Sequence, residues 1–252
     1  MPDRYAALAP FYDLLSAEHP VYRAGRKAGI SALAPRPGDQ VLDIGCGTGL
    51  NFELLQDAVG PAGTIVGIDA SSRMLDQARR RVQRRGWSNV VLLAADATTL
   101  RPEGISARIV AAGGRERSDA ALATYALSLM PEWQSAWRRM LELCTPEAVL
   151  SVVDMQDPTG PWSVLSPLAR LACRLGGADI GARPWQAVER DCADVAADSA
   201  RGGHLQVRAG RRRLGPQVQL PHRVSGPGPR ARRRRGRPRG RGDGRDAGGL
   251  TP

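Results

Sequence analysis

The chain has 252 residues, 42% of them apolar, and a formal net charge of +11, which is enough for one large domain or two small ones with a substantial core. No run approaches the ~18 apolar residues of a membrane span, and the start, MPDRYAALAP, lacks the basic-then-apolar order of a secretory signal. Four scattered cysteines (Cys46, Cys144, Cys173 and Cys192) form no CxxC pair, which argues against a disulfide framework or structural zinc and for buried free thiols in a reducing compartment, the cytoplasm.

Residues 211–252 carry 13 Arg and two Asp, the whole charge excess, so residues 1–210 are neutral. Within that neutral part, Tyr5–Ala34 reads as one or two helices stopped by Pro35. Apolar strand-like runs then alternate with helical patterns. Strands are expected at Gln40–Ile44, Thr64–Ile68, Val90–Ala94, Ala120–Thr124 and Ala148–Val153. Helices are expected at Leu50–Ala58, Ser72–Arg85 and Glu132–Leu143, with a short helix and a loop in Arg101–Ser118. The alternation predicts an α/β fold, a Rossmann-like doubly wound and mostly parallel sheet with helices on both faces. Leu165, Leu168, Ala172 and Leu175 lie at helical spacing in Trp162–Leu175, a stripe that reads as core packing or a lid ahead of peripheral membrane contact. Asp191–Ala197, a turn at Ser199–Gly203 and His204–Ala209 read as a closing antiparallel hairpin.

Between the first strand and the first following helix stands VLDIGCGTGLN, Val41–Asn51, with Gly45, Gly47 and Gly49 alternating. A glycine loop there lies at the carboxyl edge of a parallel sheet, where α/β folds bind ligands. A P-loop needs Gly-Lys-Ser/Thr, and no lysine is present; the dinucleotide fingerprint GxGxxG fails because residue 50 is Leu. The remaining candidate ligand is S-adenosylmethionine.

VLDIGCGTG resembles motif I of the class I S-adenosylmethionine-dependent methyltransferases, in which an acidic residue precedes GxGxG. The resemblance implies that Asp43 meets the amino acid end of the ligand and that Gly45 and Gly47 let backbone approach it. TIVGIDAS places Asp69 and Ala70 at the end of the second strand, where the family's acid accepts the ribose hydroxyls; the alternative is a turn or capping aspartate ahead of Ser71. VLLAADAT places Asp96 and Ala97 after the third strand, where the family binds the adenine amino group; the alternative is an N-cap or loop aspartate. ALATYALSLM puts Thr124 and Tyr125 after the fourth, where relatives floor the cofactor and meet the substrate, or where plain packing puts them. The N-terminal YAALAPFYDLLSAEHPVYRAGR is similar to the leading helices of quinone C-methyltransferases and amino-lipid N-methyltransferases (the methyltransferase type 11 domain). That likeness implies that Tyr12 lies over the cofactor, unless it is a helix-face aromatic in the core. The chain departs from the pattern at Ser118–Asp119, where relatives place an aromatic before the Asp, and entirely beyond residue 210.

The resemblance thus implies one methyltransferase domain over residues 1–210, with residues 1–38 as N-terminal helices on the lid and substrate side. Methyl transfer is an in-line displacement that relies on positioning, and a general base is needed only for a protonated or weakly acidic acceptor. The Asn/Asp-Pro-Pro-aromatic signature of amino-methylating nucleic-acid enzymes is replaced here by Thr124-Tyr125-Ala126-Leu127, and Cys144-Thr145-Pro146 has the wrong order for a cytosine nucleophile and reads as a helix end. No metal spacing occurs, and His19, His204 and His222 read as surface or packing residues. No catalytic residue is assigned; His19 and Asp154 are the acid/base groups worth testing. The expectation is a methyltransferase acting on a small-molecule or lipid-like acceptor, with no specific nucleic acid partner. Two alternatives stand beside it, a catalytically idle cofactor-binding protein and an RNA-binding protein working through the tail.

In that tail, residues 211–252, 28 of the 42 are Arg, Gly or Pro. Too few apolar residues remain to offset ordering entropy, so the tail is expected to be disordered. Arg/Gly-rich segments bind RNA, but a single lysine against 35 arginines also fits GC-biased coding and a frameshift or read-through product.

Overall fold

Five parallel strands carry the apolar runs, and their alternation decides which helices cover them. The computed structural model describes residues 22–158, 160, 163, 166–167, 170, 177–200 and 202–213. Tyr12, His19, most of Trp162–Leu175, Cys173, His222 and residues 214–252 lie outside the described residues.

The strands are β1 (Gln40–Ile44), β2 (Thr64–Asp69), β3 (Val90–Ala94), β4 (Ser118–Thr124), β5 (Cys144–Met155), β6 (Cys192–Ala200) and β7 (Leu205–Arg212). They form one sheet in the order β3-β2-β1-β4-β5-β7-β6. β7 runs antiparallel to both β5 and β6, so the sheet is doubly wound with a closing hairpin, as the pattern predicts. The helices are α1 (Arg23–Leu33), α2 (Phe52–Val59), α3 (Ser72–Arg85), α4 (Pro102–Ala111), α5 (Trp133–Glu142) and α6 (Gln186–Asp191).

Successive strand side chains point to opposite faces. Leu42, Ile44, Val66, Ile68, Ala121 and Ala123 pack with α4, α5 and α6 through Ile109, Trp137, Met140 and Val188. Val41, Ile65, Ala120 and Leu122 pack with α1, α2 and α3 through Leu33, Phe52, Leu55 and Leu75. Asp43, two residues from Val41, therefore points into the second layer, and it is fully buried.

Local signals set the helix ends. Ser71 caps α3 by accepting from the Met74 N–H at 3.4 Å, and Gly86 ends it in the left-handed conformation. Pro102 opens α4, where its missing N–H costs nothing.

The C-terminal half departs from expectation in three places. Cys144-Thr145-Pro146 opens β5 instead of ending a helix: Ser118 pairs with Cys144 and Ala120 with Val149. The intervening irregularity accommodates Pro146, which has no N–H to give a ladder. β6 extends to Ala200, past the expected Ala197. β7 continues beyond Ala209, with Arg211 opposite Val149 and Arg212 opposite Cys192. The boundary at residue 210 thus falls inside a strand. Arg212 Nη1 donates to the Leu141 carbonyl at 2.7 Å, which ties the strand end to the end of α5.

Candidate functional site

The chain winds from β1 outward to β3, then returns to the other side of β1 as β4. The carboxyl ends of β1 and β4 form the resulting switch point, the crevice where such sheets bind ligands. The glycine loop stands on it. The N–H groups of Gly45 and Cys46 donate to Ile68 O at 2.8 and 3.1 Å, anchoring the loop to β2. Gly45, Gly47 and Gly49 all have positive φ, yet their missing Cβ atoms serve different ends. A Cβ on Gly45 would lie 2.4 Å from Ala126 Cβ, and one on Gly49 2.5 Å from the Phe52 ring. Among the described residues, a Cβ on Gly47 would meet no atom within 4 Å. Gly47 faces open space, while Gly45 and Gly49 allow close packing.

Asp69 terminates β2 and is half-buried. Its Oδ2 accepts from the Gly47 N–H and its Oδ1 from the Ser71 N–H, both at 2.8 Å. It therefore links the glycine loop to the start of α3 and has the capping geometry as well. Ala70 beside it is exposed. One strand further out, exposed Asp96 accepts through Oδ1 from the Thr98 N–H at 2.8 Å and the Thr98 hydroxyl at 2.6 Å, while Ala97 is buried.

Asp43 lies beneath the loop. Asn51 Nδ2 approaches its two carboxylate oxygens at 3.0 and 2.9 Å and Thr124 Oγ1 at 3.0 Å. Thr124 Oγ1 also accepts from Arg26 Nη1 at 2.9 Å. Burial pushes the Asp43 carboxyl up to about 7; the Asn51 hydrogen bonds and Arg26 charge oppose that rise, and Asp69 adds to it. Tyr125 follows Thr124, with its ring under the Arg26 guanidinium at 5.3 Å from the centroid.

The fold thus brings Asp43, Gly45, Gly47, Asp69, Thr124 and Tyr125 to one crevice, with Asp96 at the neighbouring strand end. Asn51 and Arg26 complete the group and were absent from the sequence expectation. Asn51 had a faint signal: it occupies the N-cap position of α2 but makes no side-chain cap bond, because its side chain turns to the crevice, where Nδ2 donates to Asp43 and Oδ1 accepts from Arg26 Nη1 at 3.4 Å. Arg26 had none, being one arginine among 35.

The acid/base candidates resolve differently. Asp154 is buried, and burial pushes its carboxyl up to about 6. Its oxygens accept from the Ser128 hydroxyl at 2.7 Å and from the N–H groups of Ser128 and Met155 at 3.1 and 2.9 Å. This carboxylate is spent on fixing the 3-10 turn Leu127–Leu129. Burial pushes the Cys144 thiol up to about 12, so it stays protonated at neutral pH and is a poor nucleophile. Beside the crevice, Met155, Ala178 and Leu205 form an apolar cluster with Tyr22, Tyr125, Leu129 and Ile180. Among the described residues no group of His, Cys, Asp and Glu could hold a metal, and no helix is long and apolar enough to cross a membrane.

The fold is shared with known proteins. The crystal structure of a SAM dependent methyltransferase from Aquifex aeolicus superposes with a TM-score of 0.52 at 16% identity, covering 79% of this chain and 96% of that one. The chain is 28% identical over 158 residues to a 2-phytyl-1,4-naphtoquinone methyltransferase of Synechococcus elongatus, covering 61% of this chain and 63% of that protein. It is 44% identical over 61 residues to an uncharacterized 37.1 kDa protein in transposon TN4556 of Streptomyces fradiae, 24% of this chain and 18% of that protein. The chain therefore spans less than two thirds of the length of either relative. The profile of the family described as "Methyltransferase domain" matches residues 35–198, more than half of the chain and every strand from β1 to β5; the chain belongs to the methyltransferase domain family.

Proposed function

We propose that this chain transfers a methyl group from S-adenosylmethionine to a small-molecule or lipid-like acceptor. The observation that carries the reading is the pair of polar subsites at the β1–β4 switch point. Asp43, Asn51, Thr124 and Arg26 suit the amino acid end of the cofactor, and Asp69 beside open Gly47 suits its ribose. The residues fit the group: the Arg26 guanidinium matches a carboxylate, Asp43 above about pH 7 matches an ammonium, and Gly47 leaves room for the ligand. Asp96 and Ala97 would border the adenine, and Tyr12 would cover the cofactor.

When bound, the cofactor supplies an electrophilic methyl on a cationic sulfonium. The chain's part is to hold that methyl in line with the acceptor and to keep water away, which alone gives large effective concentrations. The acceptor side would be the cluster around Met155, Tyr125 and Leu129, whose apolar character suits a quinone-like ring or lipid tail. A relative whose name is a naphthoquinone methyltransferase supports the same class. The buried, unpaired thiols of Cys46, Cys144 and Cys192 suit the reducing cytoplasm. The comparisons favour neither an idle cofactor-binding protein nor RNA binding as the main activity.

Calorimetry with S-adenosylmethionine and S-adenosylhomocysteine tests the cofactor assignment, and absence of binding to both would overturn it. Mass spectrometry of lipid and metabolite extracts incubated with methyl-labelled cofactor tests the acceptor class. Label appearing only in RNA would overturn the small-molecule reading.

A further inference from the structure

Tyr125 has a φ of +55° although it carries a side chain. The left-handed region is costly for residues with a Cβ and persists only where the surroundings over-determine it. Here they do. The Tyr125 N–H donates to Val153 O at 2.8 Å, and its hydroxyl donates to Tyr22 O at 3.1 Å. Its ring meets that of Tyr22 edge to face, with centroids 4.8 Å apart. The fourth restraint is a missing atom: a Cβ on buried Gly25 of α1 would lie 1.9 Å from the Tyr125 hydroxyl oxygen. Tyr125 is seated in a notch that only glycine leaves.

One residue beyond Gly25, the Arg26 guanidinium sits over the Tyr125 ring. Two successive residues at the end of β4 thus fix one guanidinium, Thr124 through a 2.9 Å hydrogen bond and Tyr125 through its π face. We propose that Tyr125, locked into the Gly25 notch, is a positioning residue that sets Arg26 to receive the carboxylate of the cofactor's amino acid end. This rests on the function proposed above. Two sequence-distant positions, 25 and 125, then act as one unit, and the strained backbone directs the ring onto α1.

The test uses two nucleosides that differ at the amino acid end: S-adenosylhomocysteine, which has it, and 5′-methylthioadenosine, which does not. In calorimetry Gly25→Ala, which displaces the Tyr125 ring, should weaken S-adenosylhomocysteine at least about tenfold, as expected for losing a charge-assisted hydrogen bond. Its affinity for 5′-methylthioadenosine should stay within about twofold of wild type, because that ligand never reaches Arg26. Tyr125→Phe in the Gly25→Ala background removes the clashing oxygen, leaving the next contacts at 3.2 Å, and should restore most of the lost affinity. Equal weakening of both nucleosides would reduce the notch to a packing feature and overturn the proposal. So would undiminished binding in Gly25→Ala, or a double variant no better than the single one. A wild-type chain that binds neither nucleoside would overturn the proposed function itself, and this proposal with it.

Discussion

At the residue scale, buried Asp43 has the most readable chemistry. Its folded pKa of about 7 lies well above the ~3.9 of an unfolded aspartate. Between those values the folded chain keeps a proton that the unfolded chain has lost. Stability should therefore be greatest below about pH 4 as far as this group decides, and fall as pH rises towards 7, by at most about 1.4 kcal/mol per unit. Asp154, raised to about 6, adds a fall of the same sign up to its own pKa. Asp43→Asn should flatten the melting-temperature profile between about pH 6 and 7 while leaving the Asp154 part below it; an unchanged profile would mean that Asp43 does not titrate there. The glycines of the loop should also separate. Gly47→Val, pointing into open space, should abolish cofactor binding in calorimetry and lose only the cost of its positive φ, about 1–2 kcal/mol. Gly45→Ala should chiefly destabilise, since its Cβ meets Ala126. Asp69→Ala should weaken S-adenosylmethionine at least about tenfold. Two backbone N–H groups also lose their acceptor in that variant, so a loss of stability of about 1–2 kcal/mol is expected beside it.

At the element scale, what was legible was local. β1, β3 and α3 stand at their expected bounds, because period-2 and period-3.6 patterns with capping residues specify them over a few positions. Asp43, the glycine loop and Asp69 were legible for the same reason, as strand ends beside turns. Arg26 and Asn51 join the site through contacts to Thr124 that span 98 and 73 residues, and no window along the chain holds both partners. β5 was read short because Pro146 breaks its pattern, and only pairing with β4 reveals Cys144 as strand. The seat of α1 was equally hidden. Gly25 and Gly29, one turn apart, lie against Tyr125 and Val153, and the Gly29 carbonyl accepts from Ser151 Oγ at 3.0 Å. In an exposed helix Gly→Ala stabilises by about 1 kcal/mol. Here a Cβ on Gly29 would lie 2.3 Å from Val153 Cγ2, so Gly29→Ala should destabilise by about 1–3 kcal/mol. Denaturant melts should show Val153→Ala relieving part of that loss; a stabilised Gly29→Ala would mean that α1 does not rest on β5.

At the scale of the whole molecule, the question is where the folded body stops. Composition divides the chain at residue 210, because charge and Arg/Gly/Pro content change there. Hydrogen bonding divides it later. Arg211 and Arg212 are rungs of β7, the Arg213 N–H donates to Asp191 O at 3.0 Å, and Arg212 holds the Leu141 carbonyl. A strand can end in arginines when each guanidinium reaches solvent or a carbonyl, so charge is a poor marker of a boundary. Two truncations separate the readings. A chain ending at Gly210 loses the last rungs of the β5–β7 and β6–β7 ladders and the link to α5, and should unfold at a temperature several degrees lower, about 1–3 kcal/mol less stable. A chain ending at Arg213 keeps all of them and should melt, and bind S-adenosylmethionine, like the full chain. Cutting at 213 should also remove most salt-dependent adhesion to RNA, since ten of the chain's arginines follow that point and each neutralised phosphate releases counterions. Equal melting of the two truncated chains would place the boundary at 210 after all, and loss of cofactor binding on cutting at 213 would make residues 214–252 part of the domain.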